Sequence, residues 1–146
     1  MDLAKYRALF LEEATDHLSE MSRALLVLEK RPDAREAIDE VFRMAHSIKG
    51  MAGSLGYDAI TDLSHKLEDT MERFRSDGVV PAGEAGMALL FAGLEGLETM
   101  VAAVRADGEP AAPDSALLRR LEVEPDPQAS GSLGSLEPDP KKVAMS

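Results

Sequence analysis

Apolar residues recur at steps of three and four along most of the chain, and turn-forming residues divide the pattern into five segments. This spacing places the apolar side chains of a segment on one helical face, so it predicts amphipathic α-helices. The segments cover about residues 2–30, 33–55, 58–76, 81–106 and 114–123. The apolar positions of the first segment are Leu3, Tyr6, Phe10, Leu18, Met21, Leu25 and Leu28. We therefore expect four long helices and a short fifth one.

Turn signals indicate where the helices begin and end. Asp2 and Asp33 precede the first two segments, where a carboxylate can accept a hydrogen bond from a first-turn N–H group. Pro32 cannot continue the first helix, and Gly56 follows the second segment, where glycine commonly ends a helix. Long amphipathic helices with short connections predict an all-α fold, an up-down-up-down four-helix bundle with a short fifth C-terminal helix.

The composition changes after Glu124. Residues 125–146 contain four prolines, several Gly and Ser residues and no helical periodicity. Such a segment buries too little apolar surface to offset the entropy lost on ordering it. We therefore assign residues 1–124 to one domain and expect residues 125–146 to form a flexible linker or tail.

Charge and composition restrict the partners of this domain. The whole chain has 27 acidic and 16 basic residues, and its net charge of −11 disfavours nucleic acid and anionic lipid as partners. The chain has no Cys, which fits a reducing compartment, and no secretory signal. We see no stretch that approaches the roughly 18 apolar residues of a membrane span. These features predict a cytoplasmic domain that binds neither nucleic acid nor membrane.

The second segment carries the first candidate functional residues. On a helix, Phe42, His46, Lys49 and Gly53 form a column beside the apolar face, so the His46 ring can be held on one side and exposed on the other. Gly50 and Gly53 each cost about 1 kcal/mol relative to Ala within a helix. They either let a partner approach the imidazole or permit close helix packing or a kink, and their spacing favours neither explanation.

The third segment supplies His65 and Glu68, three residues apart on one helical face. His46 lies 11 residues before Tyr57 in the turn and Glu68 lies 11 residues after it, so antiparallel helices bring the two to the same level. Glu68 can then accept a hydrogen bond from one ring nitrogen and leave the other free as a nucleophile. Lys49 can place its ammonium near the oxygens of a phosphoryl group carried by His46. His65 would then support the hydrogen bonds among these side chains rather than act as the nucleophile.

Three sequence runs, one in each of the first three predicted helices, together resemble the motifs of a known domain family. The second helix contains Phe42-Arg43-x-Ala45-His46-Ser47-Ile48-Lys49-Gly50-x-Ala52-x-x-Leu55-Gly56. The third contains Leu63-Ser64-His65-Lys66-Leu67-Glu68, and the first contains Tyr6-x-x-x-Phe10-x-x-Glu13-Ala14-x-x-x-Leu18. These runs resemble histidine phosphotransfer (HPt) domains, most of all the N-terminal domain of CheA-type chemotaxis sensor kinases. The resemblance covers about residues 1–123.

The resemblance implies a phosphoryl carrier. By it, His46 is the phosphorylated residue, Glu68 fixes its tautomer, Lys49 and His65 complete the hydrogen-bond network, and Gly50 leaves room for the partner. It also implies that the ATP-binding domain of a histidine kinase is the donor. An aspartate of a CheY- or CheB-type response regulator is then the acceptor.

The chain itself has neither a phosphate-cradling glycine loop nor an Asp-x-Gly-x-Gly ATP signature. We therefore expect ATP and Mg²⁺ to be bound by partner domains, no cofactor in this chain, and a chain that is a fragment of a longer kinase.

Three alternatives stay open. The first is a free-standing HPt phosphorelay protein. The second is a metal-dependent enzyme with His46, His65 and Glu68 as ligands, although the chain has no His-Glu-x-x-His run. The third is a structural helical adaptor, which leaves the two glycines beside His46 unexplained. His17 has no glycine beside it in the predicted helix, and we expect it to be packed or solvated.

Overall fold

The computed structural model describes residues 2–81, 84–106 and 115–122. Within them the chain forms helices and no strand, in the order α1 (Leu3–Lys30), α2 (Arg35–Leu55), α3 (Asp58–Asp77), α4 (Glu84–Arg105) and α5 (Ser115–Glu122). The predicted all-α fold with four long helices and a short fifth one is confirmed. The expected tail, residues 125–146, lies outside the described residues.

Most helix ends follow the turn signals. The Asp2 carboxylate accepts a hydrogen bond from the backbone N–H of Lys5 at 3.3 Å, as predicted for the cap of α1. Gly56 and Gly78 end α2 and α3 in the left-handed conformation, both at φ 78°, which glycine adopts without a steric penalty.

The predicted start of α2 was wrong. The helix begins at Arg35 after Ala34, and no side chain caps its first turn. Pro32 and Asp33 lie within a turn that the backbone N–H of Ala34 closes by donating to the carbonyl of Arg31 at 3.0 Å. The residue that precedes the helix is therefore Ala34, one position after the predicted cap Asp33.

Each of the four long helices buries its apolar face against two neighbours. Both α1 and α3 pack on α2 and on α4, which closes the bundle. The largest fully buried side chains include Met21, Ile48, Phe74 and Leu90, one from each long helix. Because burial stabilises by about 25 cal/mol per Å² of apolar surface, this shared core is the main force that holds the helices together.

The last turn of the fifth helix packs against the bundle and is hydrogen-bonded to it. α5 packs on α3 and α4, and Leu121 is fully buried. Its carbonyl oxygen accepts hydrogen bonds from Thr70 Oγ1 at 2.9 Å and from Arg73 Nη2 at 3.0 Å. These donors satisfy an acceptor at a helix end that lacks an intrahelical partner. The end of α5 is thereby tied to α3.

The first turns of α1 are more exposed than their periodicity predicted. Leu3 is 68% exposed and Tyr6 is 47% exposed. Together with Leu9, Met51 and Leu55 they line an open apolar groove of about 440 Å³ between α1 and the end of α2. The pattern identified the right face of α1, but no further helix covers that face at this end of the described bundle.

The fourth helix corrects the expectation that no stretch of the chain approaches the length and apolar character of a membrane span. The window Gly86–Arg105 has a mean hydropathy of 1.6 and is long and apolar enough to cross a membrane by length and composition. In the bundle, however, α4 packs on α1, α3 and α5, and Leu90 and Leu97 on it are fully buried. In the bundle 44% of this window is buried, as expected for a helix that packs with one face on its neighbours.

Candidate functional site

The antiparallel pair α2 and α3 sets the geometry of the site. Two residues, Gly56 and Tyr57, join the helices. His46 lies opposite Glu68, and two turns away Asp39 lies opposite Arg75. The two residue numbers of each pair add up to the same total, as they must when two antiparallel helices keep one register. This constant register brings the predicted pair, His46 and Glu68, to the same level.

His46 is held on one side and open on the other. Its Nδ1 lies 2.5 Å from Glu68 Oε2, a short hydrogen bond between the helices. The imidazole side chain is 63% exposed, whereas that of Glu68 is only 11% exposed. Lys49 Nζ lies 2.6 Å from the other carboxylate oxygen, Glu68 Oε1. With Nδ1 engaged, Nε2 is the ring nitrogen available to a reactant.

The surroundings of Glu68 determine its charge. Burial by itself raises the pKa of the Glu68 carboxyl, but the hydrogen bonds from Lys49 and His46 outweigh burial and hold this pKa below its ordinary value. Glu68 is therefore a carboxylate near neutral pH, able to accept the Nδ1–H of a neutral imidazole. This arrangement fixes the tautomer in which Nε2 carries the nucleophilic lone pair.

A second set of contacts, which the sequence analysis missed, lies one turn before His46. The Phe42 and His46 rings are nearly parallel, with 14° between their planes and 6.4 Å between their centroids. The guanidinium of Arg75 covers the Phe42 ring at 4.6 Å from its centroid. Arg75 Nε also pairs with Asp39 Oδ1 at 3.0 Å. The sequence does hold a signal for this pair. Asp39 lies seven residues before His46 and Arg75 lies seven residues after Glu68, so the antiparallel register that pairs His46 with Glu68 also brings these two residues level.

The glycines of α2 do not serve close packing. A Cβ atom on Gly50 would meet nothing within 4 Å, and one on Gly53 would meet only Thr61 Oγ1 at 3.9 Å. In α4, by contrast, a Cβ on Gly96 would lie 2.8 Å from Leu63 Cδ2 of the core. α2 runs without interruption through both of its glycines. An open surface beside His46 is the explanation that fits.

The other two histidines lie apart from this network. His65 is 55% exposed, and the ring contact described for it is with Asp69 of its own helix, Nε2 to Oδ2 at 3.6 Å. The predicted link from His65 to Glu68 is not found among the described contacts, because Glu68 turns toward α2 while His65 turns toward solvent. His17 on α1 is half-buried.

The metal-dependent alternative required a cluster of ligands. In the part of the chain that the structure describes, no group of three His, Cys, Asp or Glu side chains is arranged to hold a metal ion. Of the three ligands proposed for it, His46 and Glu68 meet, whereas His65 pairs with Asp69. The geometry gives this alternative no support.

Comparisons with known proteins agree with the fold. The sequence model of the Hpt domain family matches residues 5–107. The chain is 32% identical over 123 residues to the chemotaxis protein CheA of Bacillus subtilis, an alignment that covers 84% of this chain and 18% of that protein. The chain spans 15 to 18% of the length of the first curated relatives that it matches.

Two solved structures share the architecture. The solution structure of the histidine phosphotransfer domain of CheA superposes with a TM-score of 0.72 at 28% identity, over 81% of this chain and 90% of that one. The phosphorylated P1 domain of CheA3, solved in complex with CheY6 from R. sphaeroides, gives a TM-score of 0.70 at 25% identity, over 81% and 93% of the two chains.

The chain belongs to the Hpt domain family, since the family model matches more than half of its residues. It is a phosphotransfer module similar to the P1 domains of CheA chemotaxis proteins.

Proposed function

We propose that this chain is the phosphotransfer domain of a CheA-type chemotaxis kinase and that His46 is the residue that accepts and donates the phosphoryl group. One observation carries the proposal. An exposed imidazole has its Nδ1 fixed at 2.5 Å by a nearly buried carboxylate of the adjacent helix. A nucleophile oriented by a second group, with its reactive atom facing solvent, is what transfer between proteins requires.

In the uptake step, Nε2 of neutral His46 attacks the γ-phosphorus of ATP held by the kinase's ATP-binding domain. The N–P bond forms as the bond between γ-phosphorus and the bridging oxygen breaks, and ADP leaves with the electron pair. The ring then carries a positive charge, which the Glu68 carboxylate stabilises through the Nδ1–H hydrogen bond. ATP and Mg²⁺ are assigned to the partner domain and to no residue of this chain.

Lys49 is assigned to the phosphoryl group. Its ammonium lies 2.6 Å from Glu68 and one turn from His46, so a small side-chain movement brings it to a dianion on Nε2. A cation at that place lowers the energy of the phosphorylated state and of the charge that develops on the way to it.

In the release step, a carboxylate oxygen of a response regulator attacks phosphorus and the N–P bond breaks, which returns the electron pair to Nε2. The CheA3 relative was solved with CheY6, which supports a CheY-type regulator as the acceptor. Space around Gly50 and Gly53 supports the approach of a protein surface to His46. We place both steps in the cytoplasm, where ATP is available. The absence of Cys, and therefore of disulfides, fits this reducing compartment.

The deciding experiment uses the fact that the chain has three histidines. The protein is incubated with the ATP-binding domain of the cognate kinase and γ-labelled ATP, and the labelled residue is mapped by mass spectrometry. We expect an acid-labile, base-stable phosphoryl group on His46, lost in His46→Gln and kept in the matched controls His17→Gln and His65→Gln. Addition of a CheY-type regulator with Mg²⁺ should then remove the label.

Two results would refute the proposal. Label that persists in His46→Gln would show that the nucleophile is a different residue. A wild-type protein that accepts no label from the kinase, while a known CheA phosphotransfer domain does so in the same mixture, would show that it is not a phosphoryl carrier of this type.

A further inference from the structure

The Nδ1 hydrogen bond alone does not fix the plane of the His46 ring. A single contact at one atom lets a ring tilt about the line that joins donor and acceptor, and this side chain is largely exposed. A second restraint comes from Phe42, four residues earlier on α2, whose ring lies nearly parallel to the imidazole. The opposite side, toward Gly50, offers open space. The ring is therefore supported on one side and accessible from the other.

Phe42 is in turn held in place by Arg75 of α3. The guanidinium lies over the phenyl ring, a cation–π arrangement. Two carboxylates fix the guanidinium there: Asp39 of α2 at 3.0 Å from Nε, and Glu72 of α3 at 3.3 Å from Nη1. The guanidinium is planar, so the carboxylates bound at its edges keep its flat face over the phenyl ring. A lysine ammonium has no such face and would not be held in this orientation.

We propose that Arg75 is a positioning residue for the phosphotransfer reaction: acting through Phe42, it holds the plane of the His46 imidazole so that Nε2 points to the partner. The proposal rests on the function proposed above, in which His46 is the nucleophile. Arg75 itself is already paired with two carboxylates, so it needs no contact with the phosphoryl group.

The first test observes the ring without any phosphotransfer. Nitrogen-15 NMR of the unphosphorylated protein reports the tautomer and exchange of the His46 imidazole. In wild type we expect one tautomer, with the proton on Nδ1. In Arg75→Gln and Phe42→Leu the Nδ1–H bond to Glu68 remains, so we expect the same tautomer but an exchange broadening of the ring nitrogen signals that rises about 3-fold as the ring tilts, the size of effect expected for loss of an exposed cation–π contact. Phe42→Tyr, which keeps the ring, should match wild type.

The second test measures the reaction with a donor too small to contact Arg75 as a protein would. With phosphoramidate, whose nitrogen is already protonated near neutral pH, Nε2 attacks phosphorus, the donor's P–N bond breaks, and neutral ammonia leaves with the electron pair. We expect Arg75→Gln and Phe42→Leu each to slow labelling about 3-fold, and the double variant to be no slower than either, because the two act in series. Arg23→Gln is the matched control, since Arg23 is an exposed arginine paired with a glutamate three residues away, on α1.

Two outcomes would overturn the positioning role. One is wild-type NMR spectra and labelling rates in Arg75→Gln. The other is a rate loss for Arg75→Gln that persists in full in the Phe42→Leu background, which would show that Arg75 does not act through the phenyl ring. A wild-type protein that no donor labels would overturn the proposed function instead, and the imidazole spectra would still decide the role of Arg75.

Discussion

Lys49 and Glu68 form an ion pair at 2.6 Å, so the cation assigned to the phosphoryl group is held by the same carboxylate that orients the nucleophile. Before phosphorylation the two charges compensate each other at a half-buried site, where an unpaired ammonium or carboxylate would be costly. When a dianion forms on the imidazole, Lys49 gains a second acceptor within a short reach, and Glu68 keeps the proton of the ring. One carboxylate therefore serves both neighbours.

Glu68→Gln is expected to slow phosphorylation of His46 by about 10-fold, because a neutral amide is a weaker acceptor for the Nδ1–H than a carboxylate. The variant should also lose about 1 kcal/mol of unfolding free energy, since Lys49 loses its partner at a site that is largely buried. Single-turnover labelling and urea denaturation measure the two effects. Wild-type labelling in this variant would contradict the tautomer role of Glu68.

The stability that Glu68 contributes should depend on pH. Its pKa is lower in the folded protein than the ordinary value of 4.5, so the carboxylate form favours the folded state. That contribution is fully present above pH 4.5 and is lost as the pH falls through the lower, folded-state pKa. We expect the difference in Tm between wild type and Glu68→Gln to be about 3 °C at pH 7 and to vanish at low pH. Calorimetry of both proteins from pH 7 to pH 3 checks this, and a constant difference would contradict it.

Two glycine substitutions should have opposite effects on stability. Gly50→Ala adds a methyl group where nothing lies within 4 Å, so helix propensity alone should stabilise the fold by about 1 kcal/mol. Gly96→Ala brings its Cβ to 2.8 Å from Leu63 in the core, and the forced repacking of about 1 to 3 kcal/mol outweighs the same gain in helix propensity, for a net loss of up to about 2 kcal/mol. Chemical denaturation of the two variants provides the measurement. A destabilised Gly50→Ala protein would restore the packing explanation for that glycine.

Gly50→Leu should block partners without impairing the imidazole. A leucine at this open position stands between His46 and an approaching protein surface, so transfer from the kinase and to the regulator should each fall by about 10-fold. Labelling by phosphoramidate is the control and should stay at the wild-type rate. If the small donor is slowed as much as the protein donor, Gly50 matters for the ring itself rather than for access.

His65→Gln should change the labelling rate by no more than about twofold, because the side chain is exposed and its described contact is with an exposed Asp69. The same kinase assay measures it. A loss comparable to that of Glu68→Gln would show that His65 joins the network during the reaction, as the family resemblance implied.

The helices and the pair His46–Glu68 were predictable because both depend on local rules. Periodicity identifies helices, a short turn makes neighbours antiparallel, and equal distances from the turn bring two residues level. Side-chain direction is not local in this sense. His65 and Glu68 share a helical face by spacing, yet one turns to solvent and the other to α2. The stacking of Arg75 on Phe42 depends on the same kind of detail and was missed.

The exposure of the first turns of α1 was misjudged for a related reason. An apolar pattern shows which side of a helix avoids water but not which element covers it. Leu3 and Tyr6 follow the pattern of α1 and still border an open groove. α4 is apolar enough for a membrane span, yet it packs on three neighbours in the bundle.

The two-residue connection Gly56–Tyr57 has a consequence for how such a domain can change. Every facing pair along α2 and α3 is counted from this one bend, including the imidazole with its carboxylate and the arginine with its aspartate. Adding or deleting a single residue within either helix, between this connection and the pairs, would rotate the side chains beyond it by about 100° and separate all of these pairs at once. The count of residues from the connection to each side chain is thus a part of the site, although no residue of the connection touches the imidazole.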